Sequence, residues 1–161
     1  MSISPRVQAF PATVAQFDAI NDVALLKLPE SVSVTVADLW VGQGVRISVG
    51  ASVAALGVPF GNRGLHTVKL TGTLISGKSL TDQGSKRLHL DANVHEGNSG
   101  GPVVEVATGR IVGVVSGRFS PVGSGAGISI GDFALGSDST ISFAVPIEYG
   151  VALMRAEGLN V

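Results

Sequence analysis

The chain has no cysteine among its 161 residues. A disulfide framework and a thiolate metal site are therefore both excluded. It has little charge: 14% of residues are Asp, Glu, Lys or Arg, and the net charge is −1. A surface so nearly neutral gives nucleic-acid binding no electrostatic support. It also lacks any apolar run long enough to span a bilayer as a helix. No signal peptide is visible, which leaves the compartment open. What is abundant is apolar and small. Hydrophobic residues make up 45%, glycines number 22, and mean hydropathy is +0.42. The length suffices for one sizeable domain, and the balance implies much buried strand between tight turns.

The pattern is that of an all-β protein. Short β-branched runs such as Val32-Ser33-Val34-Thr35-Val36 and Val45-Arg46-Ile47-Ser48-Val49 stand between glycine-rich turns, as in small barrels. Residues 117–140 are rich in Gly and Ser and have little periodicity. They read as a long surface loop, or as a loop that shapes a substrate cleft. Near the end, Pro146 suits a first helical position. Ile147, Val151 and Met154 then share one face, and Gly158 can stop the helix.

One stretch carries chemistry. In Gly97-Asn98-Ser99-Gly100-Gly101-Pro102 a serine sits in a turn bounded by glycines, after Asp91-Ala92 and before the apolar Val103-Val104. Acyl transfer through a serine creates an oxyanion, and two backbone N–H groups must face it. A turn whose glycines accept unusual backbone angles can aim the N–H groups of Gly97 and Ser99, with Asn98, into one hole. A second feature is Asp22, set before the apolar run Val23-Ala24-Leu25-Leu26. Alone it would be a turn residue. Asp18 reads as a turn or capping group.

Together these stretches resemble the HtrA/Deg branch of the trypsin-like serine proteases. Val53-Ala54-Ala55-Leu56-Gly57-Val58-Pro59-Phe60-Gly61, Leu70-Thr71-Gly72-Thr73-Leu74-Ile75-Ser76-Gly77, Gly109 to Ser116 and Phe143-Ala144-Val145-Pro146 all resemble segments of that branch. The likeness runs over about residues 7–155. It implies a chymotrypsin-like double β-barrel with the second barrel complete, the first partial, and a C-terminal helix. Residues 1–35 would be the remnant of the first barrel and 36–161 the second barrel with its closing helix. Asn98 stands where pancreatic-type trypsins have Asp, so activation by a cut N-terminus is not expected.

The resemblance implies a serine endopeptidase with Ser99 as nucleophile and Asp22 as the acid that orients a histidine. Asn93 and Val94 would form the base of the specificity pocket, with Phe143 and Ala144 on its wall. No acid stands at Asn93, so small or medium aliphatic side chains fit better than Arg or Lys. Substrate would pair as an added strand along Val114-Val115-Ser116. Polypeptides are the expected partners, no metal or cofactor is implied, and self-association stays open. The branch works in the bacterial envelope or in organelles.

The histidine of that triad is missing. The family order is His, Asp, Ser, yet none of the 21 residues before Asp22 is histidine. Met1 is expected to enter the pattern part-way through the first barrel, leaving this chain inactive by itself. The histidines present are His66, His89 and His95. His95 lies four residues before Ser99 and is either a substitute base or a rim side chain; His66 and His89 read as structural. The rival readings are a peptide-binding pseudoprotease and a scaffold use of the same barrels.

Overall fold

The computed structural model describes residues 10–34, 40–58, 68–92, 97–119, 128–130, 133–135 and 141–161. Its centre is a closed six-stranded barrel. The strands are β3 (Ser52–Gly57), β4 (Lys69–Leu80), β5 (Lys86–Leu90), β6 (Pro102–Glu105), β7 (Ile111–Phe119) and β10 (Ile141–Pro146), in the order β10-β5-β4-β3-β6-β7 with β7 pairing back to β10. Alternate residues of these strands point inward. Val53, Ala55, Leu88, Leu90, Val103, Val112, Val115 and Ala144 thus meet Ile75 and Ile47 in one core. At about 1.5–3 kcal/mol per fully buried aliphatic side chain, this core is the chief source of stability.

Two strands precede the barrel. β1 (Thr13–Asp18) and β2 (Val23–Lys27) form a hairpin that pairs with no barrel strand. The register sets Val14 opposite Leu26 and Phe17 opposite Ala24. That places four apolar side chains on one face, where Val14, Phe17 and Leu26 are 61%, 72% and 55% exposed. The opposite face turns towards α1 (Ile147–Ala156), and Gln16 Nε2 donates to Glu157 Oε1 at 2.6 Å. In the hairpin turn, Asp18 Oδ1 accepts from Ile20 N–H at 3.1 Å and Asn21 N–H at 3.0 Å. Asp18 is a turn residue, as its sequence position suggested.

The helix follows its sequence signals. Its start is one residue later than expected: Pro146 ends β10 and is the N-cap, Ile147 is the first helical residue, and the helix stops ahead of Gly158 at φ +78°. Leu159 N–H donates to Met154 O and Gly158 N–H to Arg155 O, the paired bonds of a Schellman cap. This helix is too short to cross a membrane, as is any other among the described residues.

Two expectations need correction. Val45 to Val49 does not form a strand. Gln43 O accepts from Arg46 and Ile47 N–H, and the segment turns. Val45 is held from both sides, its N–H by Glu148 Oε1 at 3.0 Å and its O by Lys78 Nζ at 2.9 Å. Gly44 presses so close to β7 that a Cβ there would lie 1.9 Å from Val112 O. Close packing thus overrides β-propensity. In the other case, the stretch 117–140 is not loop throughout: β7 runs on to Phe119, and β8 (Ile128–Ile130) pairs with β9 (Phe133–Leu135). Each short strand has the apolar-small-apolar pattern that suits pairing. Val32 to Val34 lies outside any strand, and the rest of that run is outside the described residues.

Candidate active site

The serine loop packs on the end of β3 and is bonded to the middle of β7. Gly97 and Gly100 take φ +93° and +81°, backbone angles that a side chain would strain. Gly101 N–H bonds Asn98 O at 2.9 Å, closing the turn around Ser99. Gly100 N–H donates to Val115 O at 2.8 Å, and Val115 N–H donates to Gly101 O at 2.9 Å. These bonds tie the loop to β7. Against β3 it packs without a gap: a Cβ on Gly101 would lie 2.0 Å from Leu56 O, and one on Gly57 would lie 2.2 Å from Asn98 Oδ1. Asn98 is 2% exposed and points inward. Its Oδ1 is buried with no hydrogen-bond partner among the described residues. Ser99 is exposed.

Asp22 arrives from the other side. It follows the hairpin turn with φ +56°, a left-handed angle that Asp tolerates better than most residues. Ser116 reaches it from β7 and donates its Oγ hydrogen to Asp22 Oδ2 at 2.5 Å. The pairing register explains the reach. β10 matches Phe143 to Gly117 and Ala144 to Val115, so Ser116 is the extra residue of a β-bulge. Bulges re-aim side chains and recur beside active sites. Asp22, Ser99, Gly100 and Ser116 line one cleft of about 650 Å³, shared with Phe17 and Met154.

Asp18, at the rim of the same cleft, has its carboxyl held below the usual range. The hydrogen bond from the Asn21 side chain is the main cause, and backbone N–H donors add to it, as expected for a carboxylate that accepts several bonds.

The other expected residues are placed as follows. Asn93, Val94, His95 and His66 lie outside the described residues. Ala144 is fully buried in the barrel core, and the Phe143 ring stands edge-on to His89, with centroids 5.0 Å apart. His89 Nε2 shares a 2.8 Å hydrogen bond with Ser79 Oγ. On the expected substrate strand, both backbone groups of Val115 are bonded to the serine loop. The sequence reading missed that Ser116 engages Asp22 and that Gly57 seats Asn98. A β-bulge has no local sequence mark, and nothing short of the folded register shows it.

Comparison with known proteins agrees with this architecture. The profile of the trypsin-like peptidase domain matches residues 1–114. The chain belongs to the HtrA-type trypsin-like serine proteases. It is 33% identical over 154 residues to the magnetosome formation protease MamE of Magnetospirillum gryphiswaldense, covering 92% of this chain and 19% of that protein. It is 34% identical over 113 residues to a probable periplasmic serine endoprotease DegP-like of Bartonella henselae, covering 70% of this chain and 22% of that one. Among solved structures, the HtrA-type protease AlgW with decapeptide superposes with a TM-score of 0.61 at 25% identity, covering 91% of this chain and 40% of AlgW. The chain therefore spans about a fifth of the length of these curated relatives.

Proposed function

We propose that this chain supplies the nucleophile, the acid and the oxyanion hole of a serine endopeptidase. The observation that carries the reading is the meeting of Ser99 and Asp22 in one cleft, with Asp22 fixed by Ser116 at 2.5 Å. Ser99 Oγ attacks the peptide carbonyl, and its proton passes to a histidine that Asp22 orients. The oxyanion falls to the N–H groups of Gly97 and Ser99, with Asn98 N–H beside them. The proton then goes to the leaving amine, and water repeats the sequence on the acyl-enzyme. Substrate backbone extends β7 from Ser116, while Asn93 and Val94 close the side-chain pocket over small or medium aliphatic groups. Support for peptide recognition comes from AlgW, whose structure holds a decapeptide. In this scheme residues 1–35 belong to the first barrel and 36–161 to the second.

The base is the missing part. His89 is engaged with Ser79, and no histidine stands before Asp22. On this reading the base is a histidine that neither His89 nor the 21 residues before Asp22 provide, and His95 is its rival. Losing the base of such a triad costs a factor of about 10⁶ in kcat. The purified chain should therefore leave casein intact and label slowly with a fluorophosphonate. A segment that carries a histidine, added ahead of Met1, should restore both activities, and Ser99→Ala should abolish them again. Casein digestion by the unextended chain that is lost in His95→Ala would overturn the assignment of the base. The rival reading, a peptide-binding pseudoprotease, is favoured by the want of a base. It predicts peptide binding with no labelling of Ser99 in either form.

A further inference from the structure

A second cavity lies where β5 begins and β10 ends, and it shares no lining residue with the cleft of Ser99. β5 runs from Lys86 at this end to Leu90, and the chain then leads on towards the serine loop. Here the β4–β5 hairpin outruns its neighbours: β3 pairs with β4 only as far as Leu74, whereas β5 follows β4 to Leu80. The register sets Lys78 opposite Leu88 and Leu80 opposite Lys86. Directly opposed residues, and residues two apart, share a face of a sheet. These four side chains therefore point the same way, into the barrel axis, where Leu88 is 1% exposed and joins the core. Leu80, one pair further out, is 66% exposed. With Val45 and Pro146 they line a cavity of about 510 Å³. Small-molecule sites fall at about 300–1,000 Å³.

The lysines at this mouth are not ion-paired among the described residues. Lys78 Nζ donates to a neutral acceptor, Val45 O, at 2.9 Å. Of the carboxylates in this region, Glu148 is turned to Val45 N–H, and Asp82 sits on the exposed turn of the hairpin. Tyr149 Oη accepts from Lys86 N–H at 2.9 Å and keeps its own hydrogen to donate. Two ammonium groups thus rim a floor of Leu88, Leu80, Val45 and Pro146, with the Arg87 side chain also in the lining.

We propose that this mouth binds a carboxylate with an apolar body, at a site separate from the peptidase cleft. The headgroup bridges Lys78 and Lys86, and the body covers Leu80 and Leu88. Charge-assisted bonds to the ammonium groups fix the head, and removing exposed apolar surface from water holds the tail. A free aliphatic acid and the C-terminus of an apolar peptide share this chemistry.

The test is a titration of the ¹⁵N-labelled full chain, read by amide shifts. Probes are octanoate, octan-1-ol, and an apolar tripeptide as free acid and as amide. We expect octanoate to shift the amides of residues 45, 78–80 and 86–88 and to leave 97–101 unmoved. Octan-1-ol and the tripeptide amide should bind at least about tenfold more weakly than their acids, since one lost charge contact at about 1.4 kcal/mol is tenfold in Kd. Lys86→Glu should weaken octanoate by at least as much, and Lys78→Met, which keeps the apolar stem, should weaken it less. Tighter binding of the tripeptide acid assigns the site to peptide C-termini, and tighter binding of octanoate assigns it to aliphatic acids. Equal binding of octanoate and octan-1-ol overturns the proposal. So do shifts confined to the apolar face of β1 and β2, or unchanged affinity in both lysine variants.

Discussion

Gly57→Ala tests how the serine loop is held. The new Cβ would stand 2.2 Å from Asn98 Oδ1 and 2.7 Å from Asn98 Cα. Ordinary contact begins near 3.4 Å, so Asn98 must retreat by about 1.2 Å, or β3 must bend. Asn98 is 2% exposed, so its side chain has little room to retreat. Overpacking of this kind costs about 1–3 kcal/mol. With a urea m-value of about 2 kcal/mol/M, a loss of 2 kcal/mol lowers the unfolding midpoint by about 1 M. Asn98→Ala should by itself be nearly neutral, within about 1 kcal/mol. It leaves a small void but removes a buried acceptor without a partner, an acceptor whose burial costs about 1–3 kcal/mol. In the double variant the contacts with Asn98 Oδ1 and Cγ are gone, and the 2.7 Å contact with Asn98 Cα remains. The two effects should then fall short of their sum by at least about 1 kcal/mol. Urea unfolding of wild type, both singles and the double closes the cycle. Additivity within about 0.5 kcal/mol would mean that Gly57 and Asn98 do not meet as described.

Three further outcomes follow from the same structure. Ser116→Ala removes the donor to Asp22; since that site is largely exposed, stability should fall by under about 1 kcal/mol, while amide exchange across residues 18–23 should quicken. Asp18 has its folded pKa below the ordinary 3.8, so its contribution is complete above that value and is lost as pH falls through the lower folded value; Asp18→Asn should flatten this acid limb of the stability curve. Gly158→Ala forces a Cβ into φ +78° and should cost about 1 kcal/mol, seen as fraying of the last turn of α1 by circular dichroism and exchange.

How much of this was legible before folding depended on the range of the cause. The α1 helix was readable because each of its signals is local: a proline start, an apolar face at 147, 151 and 154, a glycine stop. The serine loop was readable because oxyanion chemistry demands particular backbone angles, and only glycine supplies them cheaply. Val45 to Val49 was misjudged because its fate is decided at a distance. Five residues of good β-propensity turn instead because Gln43 O, Glu148 and Lys78 capture their backbone groups. Residues 128–135 were read as loop because two three-residue strands offer too few periods to register.

The least legible part was the support of Asp22, and the reason is instructive. On the endopeptidase reading Asp22 needs a fixed carboxylate, yet the hairpin that carries it shares no strand pairing with the barrel among the described residues. The chain solves this with one bulged residue, Ser116, whose Oγ crosses to Asp22, and with α1, which packs on the hairpin through Gln16 and Glu157. Exposed polar contacts, among them also Arg87 to Ile20 O at 3.4 Å, and a helix face thus align the two halves of the cleft. Such contacts are worth about 1 kcal/mol or less each, so the hairpin is the least firmly held part of the site. Its exposed face of Val14, Phe17 and Leu26 is apolar surface of the kind that other β-structure covers. On the endopeptidase reading, whatever brings the histidine would cover this face, and the order of Asp22 and the supply of the base would then come from one packing event.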